Sequence, residues 1–388
     1  MQHFQDQSAT VPSGHTAFSD KASAAHSVMQ RVLMIGPHRT RTLGGISTMI
    51  DGLLRAAPTA GCEMRHIASQ CDEVKGLSKL PLAARALLQY VLTVIVWRPN
   101  VTLVHVGSNA SLYRKAVFIV VGRWLGQKMI AHFHAGDFDH YYEKQRPQGQ
   151  RLILSGLRRS HKLIAVSQAS ANRLRQLLPN ADIVMIPNGI KTQEFAPVVR
   201  KRDGFVRLLF VGGMGKLKGE RDLLCAFQIA VALAPQLRIS LLGHGAETIT
   251  TFCDEAGLRP YIEHLGPVLH SRRAEFFRQA DIFVLPSYGE GMPMSVLEAM
   301  AAGLPVISTK VGGIPELITS GQEGYLLAPG DIQAFAEQIV RLATDAELRT
   351  QMGQRARDKA QLFDESRVMT ALLKELHAFE NKTRKGEG

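Results

Sequence analysis

The chain alternates short apolar runs with longer stretches of helical pattern, and it does so in two rounds. The first round predicts strands at 32–35, 101–106, 128–133, 163–166 and 183–186. The second predicts strands at 206–211, 238–242, 282–285, 305–308 and 324–327. Strands that are apolar throughout are typical of parallel sheets covered on both faces by helices. The predicted fold is therefore α/β, with two Rossmann-like, doubly wound domains that face each other across a cleft.

The two rounds meet at the turn sequence Pro187-Asn188-Gly189. A chain of 388 residues is long enough for two domains that each bury a core. We predict a first domain at 28–188 and a second at 189–365, with the carboxyl ends of both sets of strands at one ligand cleft. Residues 1–27 are predicted to be a disordered tail. Residues 366–388 are predicted to be a C-terminal helix and tail. Packing of this segment back on the first domain is one arrangement that we consider.

The composition excludes several classes of protein. Apolar residues make up 45% of the chain and charged residues 21%, which excludes whole-chain disorder and fibrous folds. The four cysteines are scattered without CxxC spacing, so neither a disulfide framework nor a cysteine-rich zinc site is expected, and a reducing cytoplasm fits. Residues 1–27 have no apolar stretch behind a basic start, so they do not match a signal peptide.

The net charge of +12 lies wholly in the first half of the sequence. Up to Asn188 there are 22 Lys and Arg against 10 Asp and Glu, whereas the rest has 24 of each sign. This asymmetry favours an anionic partner for the first domain, either lipid headgroups or a polyphosphate, with chance surface charge as the alternative. Nucleic acid is not expected, because no basic run is interleaved with stacking aromatic residues.

No segment is long enough to span a bilayer, which takes about 18 uncharged apolar residues. The longest apolar run, at 86–97, has twelve residues. We interpret it as a helix packed on a sheet, and a segment that dips into a membrane is the alternative.

The segment 286–303 (PSYGEGMPMSVLEAMAAG) combines a strand end, a Gly-rich loop and a helix start. The unpaired amides and positive dipole at a helix start favour a phosphate there. Glu290 precedes the helix and Glu298 lies inside it, so one can reach a ligand over the helix start while the other lies about two turns along. Carboxylates accept hydrogen bonds from the hydroxyl pairs of a sugar or ribose. The alternative is a capping Glu and a solvated helix Glu.

The segment 210–219 (FVGGMGKLKG) is a strand followed by a Gly-rich turn that carries Lys216 and Lys218. Glycines allow close approach to a phosphate, and lysines supply positive charge for a diphosphate. A dinucleotide fingerprint is the alternative, but its third glycine, Gly219, comes one residue late.

Two segments of the first domain add candidates. In the loop after the first strand, Gly44 and Gly45 allow the backbone to lie close to a ligand; His38, Arg39 and Arg41 add donors, with surface positions as the alternative. His132 and His134 share one side of their strand. A lone histidine bonding a ligand is the interpretation we favour, and a metal pair is the alternative. Asp137 and Asp139 form a D-x-D pair that could hold a divalent ion under a diphosphate.

Together these segments resemble the retaining glycosyltransferases of family 4, which have the two-lobed GT-B fold. The likeness covers roughly 31–364 and is strongest at 210–331. Glu290 to Glu298 matches the family's E-x7-E motif, and the following AMAAGLPVI strengthens the match. Further similar elements are VGGIPE at 311–316, the segment 324–329, IPNGI at 186–190 and AVSQ at 165–168.

The resemblance implies roles for the candidate residues. Glu290 would bond the hydroxyls of the donor sugar, Glu298 the ribose of the nucleotide, and Lys218 the diphosphate. The implied site is completed by the amides of Gly45, Gly291 and Met292, by Gly44 and Lys216 at the donor, and by His134 beside the reacting sugar. One departure is Gly213, where the family commonly has Arg. Lys216 or an arginine of the first loop is a candidate replacement.

The implied activity is transfer of a hexosyl unit, with retention, from a nucleoside diphosphate sugar to a polyprenyl-diphosphate-linked saccharide. No cofactor and no metal are implied. Segments 109–128 and 132–142 are similar to members that build exopolysaccharide or capsule, which implies a cytoplasmic protein peripheral to the inner face of the membrane. A non-catalytic nucleotide-sugar-binding subunit of an assembly complex and a GT-B nucleotide-sugar epimerase are the alternatives.

Overall fold

The structure is a computed structural model of the chain. It describes residues 30–39, 41–42, 44–71, 79–107, 110–136, 138–197, 203–215 and 217–386. The predicted tail at 1–27 lies outside the described residues, as do Asp137 and Lys216.

The first lobe is built on a six-stranded parallel sheet. Its strands are β1 (Gln30–Pro37), β2 (Cys62–Gln70), β3 (Val101–Val106), β4 (Met129–Phe133), β5 (Lys162–Ala165) and β6 (Ile183–Met185). Its helices are α1 (Gly45–Ala56), α2 (Lys79–Trp97), α3 (Ala110–Trp124), α4 (Phe138–Glu143), α5 (Pro147–Arg158) and α6 (Gln168–Leu177). The strand order is β2-β1-β3-β4-β5-β6, so the direction of winding changes between β1 and β3.

The second lobe contains a second six-stranded parallel sheet. Its strands are β7 (Val206–Val211), β8 (Leu237–Leu242), β9 (Ile262–Gly266), β10 (Ile282–Leu285), β11 (Val306–Thr309) and β12 (Gly324–Leu327). The helices that follow are α7 (Glu220–Leu233), α8 (Glu247–Glu255), α9 (His270–Gln279), α10 (Met294–Ala301), α11 (Ile314–Leu317), α12 (Ile332–Thr344), α13 (Ala346–Ala360) and α14 (Glu365–Gly386). The order β12-β11-β10-β7-β8-β9 is that of dinucleotide-binding Rossmann sheets. The predicted α/β fold with two doubly wound sheets is confirmed.

The predicted strands omit β2 and β9, and both lie at the edge of a sheet. An edge strand pairs on one side only and keeps polar side chains, as Glu63 and Arg65 in β2 and Glu263 in β9 illustrate. The prediction relied on uninterrupted apolar runs, which are typical of the interior strands of a parallel sheet. The two omissions therefore have one physical cause.

The last helix, α14, packs on the first lobe although it follows the second lobe in sequence. Its apolar side chains join the core formed by β1 and α1; they are Val368, Met369, Leu372, Leu373, Leu376 and Phe379. The two connections between the lobes lie side by side. Ile190 N donates to Phe363 O at 2.9 Å, and Glu365 N donates to Ile190 O at 2.8 Å. The lobes are thus joined by a paired connection.

The long apolar run 86–97 forms the C-terminal part of α2. Ala86, Tyr90, Val94 and Trp97 are buried against the first sheet, as expected of a helix packed on a sheet. Among the described helices, none is both long and apolar enough to cross a membrane.

Candidate functional site

A cavity of about 450 Å³ lies between the lobes, at the carboxyl ends of both sheets. Seven of the predicted site residues line it: Gly44, Gly45, His134, Lys218, Glu290, Gly291 and Met292. Gly213 lines it as well. Glu298 does not, but its partner Arg273 does. The motifs separated in sequence therefore meet at one cavity.

Glu290 is buried in the loop between β10 and α10. Two side chains donate to its Oε1 atom: Ser287 Oγ at 2.8 Å and Lys218 Nζ at 2.5 Å. Lys218 comes from the loop between β7 and α7, and the Tyr288 amide also donates to Leu217 O in that loop, at 2.9 Å. The carboxylate and the ammonium group are thus held together at the start of α10, beside the amides of Gly291 and Met292.

Glu298 is fully buried inside α10. Arg273 Nη2, on α9, donates to Glu298 Oε2 at 2.6 Å. Burial raises the pKa of the Glu298 carboxyl to about 7, and the positive charge of Arg273 opposes that rise. The other carboxyl oxygen, Oε1, and the Nε of Arg273 are buried without a hydrogen-bond partner in the described structure.

The sequence analysis missed Arg273. The pattern of α9 contains a signal for it, because Arg273 lies on the helix face that buries Ala274, Phe277 and Ala280. A single charge on an otherwise apolar helix face indicates a buried partner or a ligand. Of the predicted replacements for the cation missing at Gly213, Arg39 instead faces Asp51 at 3.9 Å, and Lys216 lies outside the described residues.

Glycines bring the two lobes into close contact at the cavity. A Cβ atom on Gly136 of the first lobe would overlap the backbone of Glu290 and Gly291. A Cβ on Gly45 would lie 2.8 Å from Met294 Cγ. At both places a side chain would push the first lobe away from the start of α10, so these contacts need glycine.

Two polar contacts across the cleft were not predicted. Asn188 Nδ2 donates to Met292 O at 2.8 Å. The Glu316 carboxylate of the second lobe accepts from the amides of Gln168 and Ala169, at 2.9 and 3.1 Å, and so caps the start of α6 in the first lobe. A sequence signal for both residues was present, because Asn188 and Glu316 lie in two segments that resemble family elements. The resemblance did not give the atoms that they contact.

His134 lies in a group of three histidines. The sequence analysis found His132 and His134, and β3 adds His105, whose Nδ1 is 3.2 Å from His134 Nε2. One nitrogen of each ring lies within 4.8 Å of the others, so the three could hold a metal ion. Burial lowers the pKa of all three rings, and that of His132 falls to about 3. The nearby Lys115 further lowers the pKa of His105, and burial lowers the pKa of Lys115 itself.

A second and larger cavity, of about 1290 Å³, adjoins the first through Gly136, Gly289 and Glu290. Its wall carries both signs of charge: Lys144, Arg173 and Arg221 line it together with the carboxylates of Asp139, Glu143, Glu220, Asp222 and Glu290. Asp139, of the predicted D-x-D pair, also lines it, and its carboxylate accepts from Arg173 Nε at 2.5 Å. Asp139 therefore has a cationic partner within the protein. The cavity leaves room for a second substrate beside Glu290.

Two family models match the chain and meet at its linker. The model described as Glycosyltransferase Family 4 matches residues 43–194, and the model described as Glycosyl transferases group 1 matches residues 191–359.

Characterised relatives agree with these models. The chain is 30% identical over 247 residues to the D-inositol 3-phosphate glycosyltransferase of Paenarthrobacter aurescens, covering 59% of this chain and 60% of that protein. It is 32% identical over 223 residues to the N-acetyl-alpha-D-glucosaminyl L-malate synthase of Bacillus anthracis, covering 55% and 58%. The chain thus spans less than two thirds of the length of these relatives.

Solved structures share the fold. Sucrose-phosphate synthase from Thermosynechococcus elongatus aligns with a TM-score of 0.77 at 19% identity, covering 90% of this chain and 99% of that one. HepE of Anabaena, solved in complex with UDP-glucose, aligns with a TM-score of 0.70 at 16% identity, covering 90% and 99%. These likenesses confirm the predicted two-lobed GT-B fold.

Proposed function

Because this chain belongs to glycosyltransferase family 4, we propose that it transfers a hexosyl unit, with retention, from a nucleoside diphosphate sugar to a polyprenyl-diphosphate-linked saccharide. The observation that carries the proposal is the convergence of Glu290, Lys218 and His134 on one cavity between the lobes. HepE, which shares the fold, has been solved with UDP and with UDP-glucose, which supports a nucleotide-sugar donor.

The residues of the second lobe hold the donor. Lys218 and the amides of Gly291 and Met292 stabilise the charge that develops on the departing diphosphate, so the reaction needs no metal ion. Glu290 accepts hydrogen bonds from hydroxyls of the donor sugar. Its bond with Lys218 orients both groups before the donor arrives. Glu298 binds the ribose of the nucleotide.

The reaction itself exchanges one bond at the anomeric carbon. The bond between that carbon and the diphosphate oxygen breaks, and a bond to the acceptor oxygen forms on the same face. The acceptor proton passes to the leaving phosphate. His134, neutral because burial lowers its pKa, acts beside the sugar as a hydrogen-bond partner rather than as a cation. Closure of the lobes excludes water and limits hydrolysis of the donor.

The acceptor enters through the larger cavity. Lys144 and Arg221 on its wall are suited to the diphosphate of a polyprenyl-linked saccharide, whereas Arg173 is paired with Asp139 and Glu143. The positive charge of the first half of the chain would hold the protein at the inner face of the cytoplasmic membrane, where that acceptor is found. The product would extend a bacterial surface polysaccharide.

The test starts with the donor. A thermal-shift panel of nucleoside diphosphate sugars identifies the compound that stabilises the protein. That donor, radiolabelled, is then incubated with lipid-linked acceptors extracted from membranes. We expect sugar to appear in the lipid fraction. Binding without transfer would identify a non-catalytic subunit, and conversion of the donor alone to another nucleotide sugar would identify an epimerase; either result would overturn the proposal.

A further inference from the structure

Helix α2 is apolar on the side that faces away from the protein as well as on the side that faces the sheet. Opposite its buried row lies an exposed row, which consists of Leu88, Leu92, Ile95 and Val96. Val96 is 81% exposed. A helix that is apolar all round is expected inside a core or in contact with a membrane, and only one side of α2 is in a core.

Helix α3 extends this apolar surface. Helices α2 and α3 pack side by side on the same face of the first sheet, so their outer sides face the same way. Val117 and Trp124, seven residues apart on α3, are both exposed, and Trp124 is 83% exposed. Tryptophan is enriched where one part of a ring is in an apolar layer and another in water. We call these six side chains on α2 and α3 the α2–α3 face.

The charge on the helices that form the α2–α3 face has one sign. Exposed arginines lie beside it: Arg85 on α2, Arg98 just after α2, and Arg123 on α3. The sequence contains no Asp or Glu from Val74 to Gly136. Two copies of such a face would repel each other, whereas a layer of anionic phosphates would attract it.

We propose that the α2–α3 face docks on an anionic phospholipid bilayer. Val96 and Trp124 enter the boundary between headgroups and acyl chains, while Arg85, Arg98 and Arg123 bind headgroup phosphates. The proposal refines the membrane association in the proposed function but does not require transfer activity. It also differs from a purely electrostatic attachment, because the apolar part persists when salt screens the charges.

The two tryptophans of the chain make a direct test available. Trp97 is buried and Trp124 is exposed, so a change of polarity at the surface reports on Trp124. We expect phosphatidylcholine vesicles that contain phosphatidylglycerol to shift the emission to the blue, and the shift to vanish in Trp124→Phe. Binding of the wild type to these vesicles without any blue shift would overturn the proposal.

Sedimentation with the same vesicles measures binding. The double variant Val96→Gln with Trp124→Gln should bind at least about tenfold more weakly at high salt. The matched control, Ile229→Gln with Leu233→Gln, changes exposed apolar residues of α7 and should bind as the wild type does. Docking would be contradicted if the two double variants bound the vesicles equally well. It would also be contradicted if Val96→Gln with Trp124→Gln lost a dimer of the protein and kept its lipid binding. Transfer to a water-soluble acceptor analogue should be unchanged in both variants, so a failure of the proposed function is seen separately.

A second inference rests on the pair formed by Arg273 and Glu298. Arg273 Nη2 donates to the Oε2 atom of Glu298, and Oε1 is buried without a partner among the described residues. A buried carboxylate oxygen without a donor is costly, so the pair is incomplete without a ligand that carries hydroxyl groups. Arg273 also lines the cavity that contains Lys218 and Gly213.

We infer that Arg273 positions Glu298 as the receptor for the ribose hydroxyls of the donor. The inference rests on the proposed function, because it needs a nucleotide in this cavity. Arg273 is then a positioning residue rather than a phosphate ligand. Whether Arg273 acts on the ribose or on the diphosphate can be measured, because separate ligands report on the two groups.

Calorimetry compares the binding of UDP, GDP and ADP with that of their 2′-deoxy counterparts, and so measures recognition of the ribose. The binding of inorganic diphosphate measures the phosphate site separately. Arg273→Leu should reduce the preference for the ribonucleotide by about tenfold while diphosphate binding stays the same. Arg273→Lys should restore part of the preference. The matched control Arg272→Leu changes the neighbouring exposed arginine and should have no effect.

Two results would count against Arg273 as a positioning residue. Equal loss of diphosphate and nucleotide binding in Arg273→Leu would make it a phosphate ligand, and an unchanged preference for ribose would remove it from the donor site. If the wild type bound none of the nucleotides, the proposed function itself would fail.

Discussion

The two lobes have sheets of equal size but divide the site unequally. The second lobe is electrically neutral and supplies the charged side chains of the smaller cavity, Lys218, Glu290 and Arg273. The first lobe is strongly basic, yet at that cavity it supplies glycines, Asn188 and a neutral His134. Part of its positive charge lies on the helices of the α2–α3 face instead. In the proposed function, one lobe therefore binds the donor, and the other binds the acceptor and the membrane.

The largest effect should come from the second lobe. Glu290→Gln should lower the rate of sugar transfer roughly 100- to 1,000-fold, because a hydrogen-bonding charge at the reacting sugar is lost. The thermal midpoint should change little, since Gln keeps the volume and can still accept from Ser287 and Lys218. Initial rates and thermal melting measure the two effects. A variant with full activity would remove Glu290 from the site, and an unfolded variant would make its role structural.

Lys218→Ala should weaken binding of the nucleoside diphosphate roughly 10- to 100-fold, because a charge-assisted bond to phosphate is removed. Calorimetry measures the affinity. Lys374→Ala, on the exposed side of α14 and far from the cleft, is the matched control and should bind normally. If affinity were the same in Lys218→Ala, the diphosphate site would lie elsewhere in the second lobe.

A substitution in the first lobe should separate binding from transfer. His134→Gln is expected to lower the transfer rate by about tenfold through one lost hydrogen bond, with donor affinity within about twofold of the wild type. The comparison of kcat with donor affinity checks this. A loss of donor affinity as large as that in Lys218→Ala would contradict the division of work between the lobes.

A smaller effect should appear in stability as a function of pH. The folded pKa of Glu298, about 7, is above its ordinary value of 4.5, so the folded state holds a proton that the unfolded state has released. The free energy of unfolding should therefore fall as pH rises from 4.5 to 7, by up to about 3 kcal/mol. Urea titrations at both ends of this range measure the slope, which Glu298→Gln should flatten. An equal slope in that variant would assign the pH dependence to another group.

The smallest expected effect is that of a chelator, which should leave the transfer rate unchanged because Lys218 and the start of α10 neutralise the diphosphate. The measurement is the transfer rate of the EDTA-treated wild type, assayed with and without added divalent ions. Complete loss of activity would instead favour a metal at the three histidines or at the D-x-D pair.

Of the described strands, the sequence predicted all but β2 and β9, which form one edge of each sheet. The opposite edges, β6 and β12, were predicted from their apolar runs. Interior strands are uninterrupted apolar runs, whereas β2 and β9 carry polar residues that conceal them. Within the site, Glu290 and Lys218 were predictable because each belongs to a motif with fixed spacing. The partners of Arg273 and His105 were not predictable, because each residue reaches its partner through spatial packing of a neighbouring helix or strand. Contacts of this kind depend on how neighbouring helices and strands align in space. The amino-acid sequence alone does not give that alignment.

The position of α14 has a consequence for biosynthesis. The core of the first lobe includes side chains from Val368 to Phe379, which the ribosome adds only after the whole second lobe. Domains generally fold as units and N-terminal ones first during synthesis. Here part of the apolar surface of the N-terminal lobe stays uncovered until the second lobe and α14 have been made. Nascent first lobes should accordingly depend on chaperones, and premature termination shortly before Glu365 should yield an aggregating product even though every strand has been made.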